Sequence, residues 1–253
     1  MKGEVKSHIG RVKRPFTKMQ AVFKIINWDG RSYEYIEISL IGDDALLIEE
    51  LKQRAVDLAR VVRPEDPGGW RRDDYTKYCR CLVGVIAEAA FRHCVIAFGE
   101  CKHIRFEHPQ FGSLYDQIDI RLTVDERPLQ VEVRSSCSYK MSLERVFTGA
   151  FSIIGWYKTL TKPSEKPKDY YAQIVYYFDA NEVEKQLEKG LVLHFVGGAS
   201  RQLLESSGQW DSLRKLGASY RVIRPIVIGT EPRELIAEMT RCNQNQTADL
   251  GRA

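Results

Sequence analysis

Between Ile118 and Arg134 the chain alternates between apolar and polar positions. Ile118, Ile120 and Leu122 are separated by Asp119 and Arg121, and Leu129, Val131 and Val133 by Gln130 and Glu132. Side chains along a strand point to opposite faces in turn. The pattern therefore predicts two strands around a polar turn, Asp125-Glu126-Arg127-Pro128, each strand with one apolar and one charged face. Pairing the strands with matched faces brings Asp119 close to Glu132, and Arg134, two residues on, shares that face.

The flanking segments change period. Tyr75 to Phe98 reads as a helix carrying Glu88 inside the apolar run Val83-Gly84-Val85-Ile86-Ala87-Glu88-Ala89-Ala90-Phe91. A glutamate in that setting needs a partner or a metal, because a buried lone carboxylate is costly. His103 to Glu107 is a short strand. Ser142 to Leu160 places Leu143, Val146, Phe147, Ala150, Ile154 and Tyr157 at helical spacing, predicting an amphipathic helix packed on the sheet. Ala172 to Phe178 follows as a strand, Asn181 to Lys189 as a helix closed by Gly190, and Leu191 to Val196 as an apolar strand. Short helices are expected over Ser200 to Ser206 and Trp210 to Leu216, a strand over Tyr220 to Ile228, and a last helix over Glu231 to Arg241.

Upstream, Met19 to Asn27 and Ser32 to Leu40 read as strands around Asp29-Gly30, a hairpin signal. Asp43 to Val62 repeats Leu47, Leu51, Ala55 and Leu58 at helical spacing. Arg63-Pro64-Glu65-Asp66-Pro67-Gly68-Gly69 is a compositional break. The expected organisation is an N-terminal strand-strand-helix extension over 1–62, a core over 70–242 and a polar tail over 243–253. The fold class is α/β, a central mixed sheet flanked by helices.

Length and composition suit one large domain with a substantial core. No uninterrupted apolar run approaches the ~20 residues of a membrane span, and no apolar segment follows the charged Met1–Lys6 stretch. The expectation is a cytoplasmic protein without a membrane partner. The net charge of +4 is compatible with nucleic acid and does not diagnose it. Six cysteines lack the C-x-x-C spacing of zinc or redox sites. No Gly-x-Ser-x-Gly and no Walker-type phosphate loop is present.

Facing carboxylates repel, and a bound cation relieves the cost. Asp119 and Glu132 offer the hard oxygen ligands that suit magnesium. Taken alone, the hairpin is equally an amphipathic ribbon with a solvated charged face. Asp116 competes with Asp119, but it lies three residues earlier, facing the other way and outside the apolar alternation.

The order of helix with Glu88, strand, strand with Asp119, strand with Glu132-x-Arg134, helix, strand resembles the PD-(D/E)XK nuclease superfamily, which has the restriction-endonuclease-like fold. The resemblance covers about Tyr75 to Phe178. It implies a magnesium site built from Glu88, Asp119 and Glu132, with Mn2+ as a substitute, and a phosphodiesterase acting on DNA, an endonuclease of restriction or repair type. RNA stays open as a substrate, and so does a homodimer, because the region after the third strand serves as an interface in related folds. The family's motif lysine is Arg134 here. Arginine is always protonated, so it cannot act as a base, though it can clamp a phosphate or stabilise a developing oxyanion. The alternative expectation is accordingly a catalytically impaired module that binds nucleic acid without cutting.

Overall fold

The computed structural model describes residues 19–40, 44–65, 71–107, 120–159, 165–212 and 217–241. Within them the chain is an α/β protein with a seven-stranded mixed sheet. Strands β1 (Met19–Trp28) and β2 (Arg31–Leu40) form the expected hairpin. Its turn, Asp29-Gly30, has φ of 48° and 73° at its two residues, the left-handed pair that matches strand twist in a two-residue hairpin. Helix α1 (Ala45–Val61) is capped by Asp44, whose side chain accepts from the Leu47 amide. Helix α2 (Asp74–Phe98) is capped in the same way by Asp73. It is long and apolar enough to cross a membrane by length and composition, but it is mostly buried inside the fold. Leu82, Val85, Ile86, Phe91 and Val95 lie wholly or almost wholly inside, each contributing roughly 1.5–3 kcal/mol of transfer free energy.

Strands β3 (Ile104–Glu107), β4 (Ile120–Val124) and β5 (Arg127–Cys137) form an antiparallel meander. The turn between β4 and β5 is tighter than the four-residue one expected. Only Asp125 and Glu126 turn, with φ of 45° and 67°, and Arg127 and Pro128 already pair with Val124 and Thr123. Strand β7 (Tyr170–Tyr176) runs parallel to β5, and β8 (Leu191–Ser200) runs antiparallel to both β7 and β2. The sheet order is β1-β2-β8-β7-β5-β4-β3, so the N-terminal hairpin extends the same sheet that holds the meander.

The helix expected over Ser142 to Leu160 is not formed. Instead α3 (Leu143–Arg145) runs into a π-helical turn over Val146–Ala150, and β6 (Ile153–Thr159) follows. Gly149 has a φ of 136°, which no helix continues through. The residues beyond it, Ile153, Ile154, Trp156, Tyr157 and Thr159, are β-branched or aromatic and favour a strand. The stripe expected as one helical face is thus shared between a turn, where Val146 and Phe147 are buried, and a strand edge. A partner exists for that strand. β6 pairs with β10 (Ala218–Ile223), which also pairs with β9 (Gln209–Asp211), making a second, three-stranded sheet. Trp210 therefore sits in a strand rather than the helix expected from Trp210 to Leu216, and residues 213–216 of that segment lie outside the described residues. The strand expected from Tyr220 to Ile228 ends at Ile223 and gives way to a 3-10 turn over Ile226–Ile228.

The large sheet has a core on each side. Helices α1, α2, α4 (Val183–Lys189) and α6 (Pro232–Thr240) bury their apolar faces with Val131, Val133, Ala172 and Ile174 on one side. On the other, Val146, Phe147, Ile153, Trp156 and α5 (Arg201–Ser207) pack against Tyr171, Val175 and Ala199. A close approach of β8 to β7 and α6 falls at Gly198. A Cβ there would overlap the Tyr171 carbonyl oxygen and come within 2.5 Å of Leu235 Cδ2. Gly198→Ala is expected to destabilise the fold by about 1–3 kcal/mol, as overpacking does, read as a lower urea midpoint with an unchanged slope.

Candidate functional site

The site is built outward from β5. Val131 and Val133 point into the core beneath α2, so strand alternation sends Glu132 and Arg134 to the opposite face. Both expectations from the alternating pattern hold here: the two residues share a face, and the apolar positions face the core. Glu132 is only 5% exposed, so this face of β5 is covered rather than solvated. Glu132 Oε1 lies 3.1 Å from Arg134 Nη1. Arg134 then bridges to a second carboxylate, its Nη2 lying 3.0 Å from Glu165 Oε2 and 3.2 Å from Glu165 Oε1. The same Nη2 also donates to the Gly155 carbonyl of β6 at 3.3 Å.

Glu165 is the residue that sequence reasoning missed. It falls in the charged stretch Thr161 to Asp169, which by composition is solvated surface. Instead its side chain is largely enclosed, Oε2 accepts from the Tyr157 amide at 3.3 Å, and its own amide donates to the Tyr157 carbonyl at 3.2 Å. The edge of β6 thus captures Glu165, and β6 was itself not anticipated. Gln173 on β7 stands opposite Arg134 in the parallel register. It is fully buried, and its Nε2 donates to Ser136 Oγ at 3.1 Å and to the Ile174 carbonyl at 3.3 Å. Tyr171, opposite Glu132, has its hydroxyl proton held more tightly than usual, chiefly by burial, with Glu165 and Glu132 adding to the effect.

Glu88 has different neighbours. It is buried on α2, as its apolar setting predicts, and its Oε2 accepts from Arg54 Nη2 of α1 at 3.0 Å. Burial pushes its carboxyl up to about 7. Arg54 and then Arg92 pull it down, and Glu132 adds a smaller upward push. Glu88 and Glu132 therefore feel one another, but each has an arginine as its direct partner. Asp119 and its competitor Asp116 lie outside the described residues, and the described part of β4 begins at Ile120, paired with Val131.

For a divalent ion the donor chemistry of Glu132 fits, a hard carboxylate, while Glu88 comes from α2, on the side of the sheet that Val131 and Val133 face. The number does not close among the described residues, where no group of three His, Cys, Asp or Glu is gathered. Asp119 would have to complete the set. His194 lies 3.5 Å from Glu37 through Nε2 and packs on the Tyr35 and Tyr177 rings.

No family model and no solved structure matches this chain. The chain is 27% identical over 235 residues to an uncharacterized protein of Methanocaldococcus jannaschii, covering 80% of this chain and 84% of that protein.

Proposed function

We propose that the protein is a magnesium-dependent phosphodiesterase acting on DNA, an endonuclease of restriction or repair type with a restriction-endonuclease-like core. The observation that carries this is the placement of Glu132 and Arg134. They form a pair of a buried acid and a partly buried guanidinium on one face of the strand that closes an antiparallel meander and then pairs in parallel with β7. The order α2, β3, β4, β5, β7 and the burial of Glu88 support the same reading, while the helix expected between β5 and β7 is replaced by α3, a π-helical turn and β6. Asp119 and Glu132 would hold the ion, with Glu88 adding negative charge from α2. Bound there, magnesium would supply an activated water and neutralise the departing oxygen. Arg134 holds Glu132 in place and offers a permanent positive charge to the phosphate. A cytoplasmic setting fits the free thiols of Cys79, Cys81, Cys94, Cys101 and Cys137.

A second reading is favoured by the bridge that Arg134 makes to both Glu132 and Glu165. A guanidinium already held by two carboxylates suits a nuclease-fold module that binds nucleic acid without cutting. Supercoiled plasmid incubated with the protein and Mg2+ or Mn2+ is expected to become nicked, and to stay supercoiled in EDTA or with Asp119→Ala. A retained gel shift without nicking in either metal would establish the second reading. Neither binding nor nicking by the folded protein would end both.

A further inference from the structure

Two arginines crowd Glu88. Arg54 reaches it from α1 at 3.0 Å, and Arg92 lies one helical turn along α2, the spacing at which side chains are neighbours. Arg92 is itself partly enclosed. Its guanidinium carbon lies 5.4 Å from the centre of the Phe106 ring, and its Nη2 reaches the Glu107 carbonyl at 3.4 Å. Its Nε is buried with no hydrogen-bond partner among the described residues. Burial and repulsion from Arg54 both make the Arg92 proton easier to lose than usual, and Glu88 only partly offsets them.

The local charge balance is the significant feature. Two permanent cations face Glu88, and the further carboxylate that acts on it, Glu132, is paired with Arg134, leaving a net charge of about +1 even with Glu88 ionised. Like-charged guanidiniums held together out of bulk water are costly without an anion between them. Planar guanidinium forks match the oxygens of a phosphate, and charge-assisted contacts of this kind are the strong ones. Arg54 keeps 25% of its side chain exposed, against 11% for Glu88, so the cluster opens on the guanidinium side.

We propose that Arg54 and Arg92 form a seat for a backbone phosphate of a nucleic-acid strand, beside Glu88. This deepens the function proposed above and rests on it for the identity of the phosphate's owner. It also gives α1 a task. The N-terminal unit delivers one of the two phosphate ligands, in addition to covering the apolar face of α2.

The test is binding in EDTA, which separates the seat from any metal chemistry. Fluorescence anisotropy of a labelled DNA duplex is followed across a range of KCl concentrations for the full chain and for Arg54→Gln, Arg92→Gln and the exposed control Lys185→Gln. Each arginine variant is expected to bind about tenfold more weakly and to lower the slope of log affinity against log salt by about one, the signature of one lost phosphate contact. The Lys185→Gln slope should stay at the wild-type value. Wild-type affinity and slope in folded Arg54→Gln and Arg92→Gln would overturn the proposal. So would arginine-dependent thermal stabilisation by inorganic phosphate with duplex binding unaffected, which would assign the seat to a small phosphate. If the glutamine variants do not fold, Arg54→Lys and Arg92→Lys decide, with weaker binding at an unchanged slope expected and unchanged affinity overturning it. Arginine-dependent binding by a protein that never nicks DNA leaves the seat standing while the nuclease proposal fails.

Discussion

Glu132→Ala is expected to lower metal-dependent nicking at least about a hundredfold, on the order of 2.7 kcal/mol of barrier. Glu132 sits on a central strand, 5% exposed, where a carboxylate is retained only with its charge compensated. Its removal takes away one of the hard oxygen donors and frees Arg134 Nη1, while Nη2 keeps Glu165 as a partner. Since Arg134 stays half-compensated, the fold should survive with a lower melting temperature. Glu132→Gln keeps the shape and loses the charge, so it separates the two effects. It should melt closer to wild type and still nick as poorly as the alanine variant. Plasmid conversion by either folded variant within about threefold of wild type, a difference under ~1 kcal/mol, would remove Glu132 from the chemistry altogether.

What could be foreseen follows from the range of the interactions involved. The alternation on either side of Asp125 gives β4 and β5 and places Glu132 and Arg134 on one face, because a strand's period is a local property. The apolar run around Glu88 likewise announces a buried carboxylate. The partner of that carboxylate was not foreseeable. Arg54 lies 34 residues upstream, in a helix whose own pattern shows only its apolar face. Glu165 was hidden for a related reason. Lysines and prolines surround it, and only the edge of β6 turns that stretch inward. β6 in turn was masked by a helical spacing that arose by coincidence, in which Val146 and Phe147 belong to a turn and Ile154 and Tyr157 to a strand. Gln173 has no local signal at all, since a polar residue in an otherwise apolar strand is equally an edge position. In each case the missing information is a tertiary pairing, which overrides a local period.

The last expectation concerns pH. Burial raises the Glu88 carboxyl from its ordinary 4.5 to about 7, against the downward pull of Arg54 and Arg92, with Glu132 adding to the rise. The folded chain thus binds this proton more tightly than the unfolded chain does. The stability it contributes is fully present below about pH 4.5 and is lost as the pH rises toward 7, with no further loss above that. The whole effect approaches about 3 kcal/mol. Glu88→Gln carries no titrating proton, so it should lose less stability than wild type across this window, by up to that amount. The measurement is the urea midpoint of both proteins at pH 4.5 and pH 8, with each midpoint converted through its own slope. The groups facing Glu88 are Arg54, Arg92, Glu132 and the Tyr176 hydroxyl, whose proton burial holds more tightly than usual. Repeating the comparison in a Glu132→Gln background keeps the difference attached to Glu88. Equal losses in wild type and Glu88→Gln would mean that Arg54 and Arg92 hold the carboxylate ionised throughout. The arginine cluster would then carry about one net positive charge rather than two across this pH range, with correspondingly less attraction left for a phosphate.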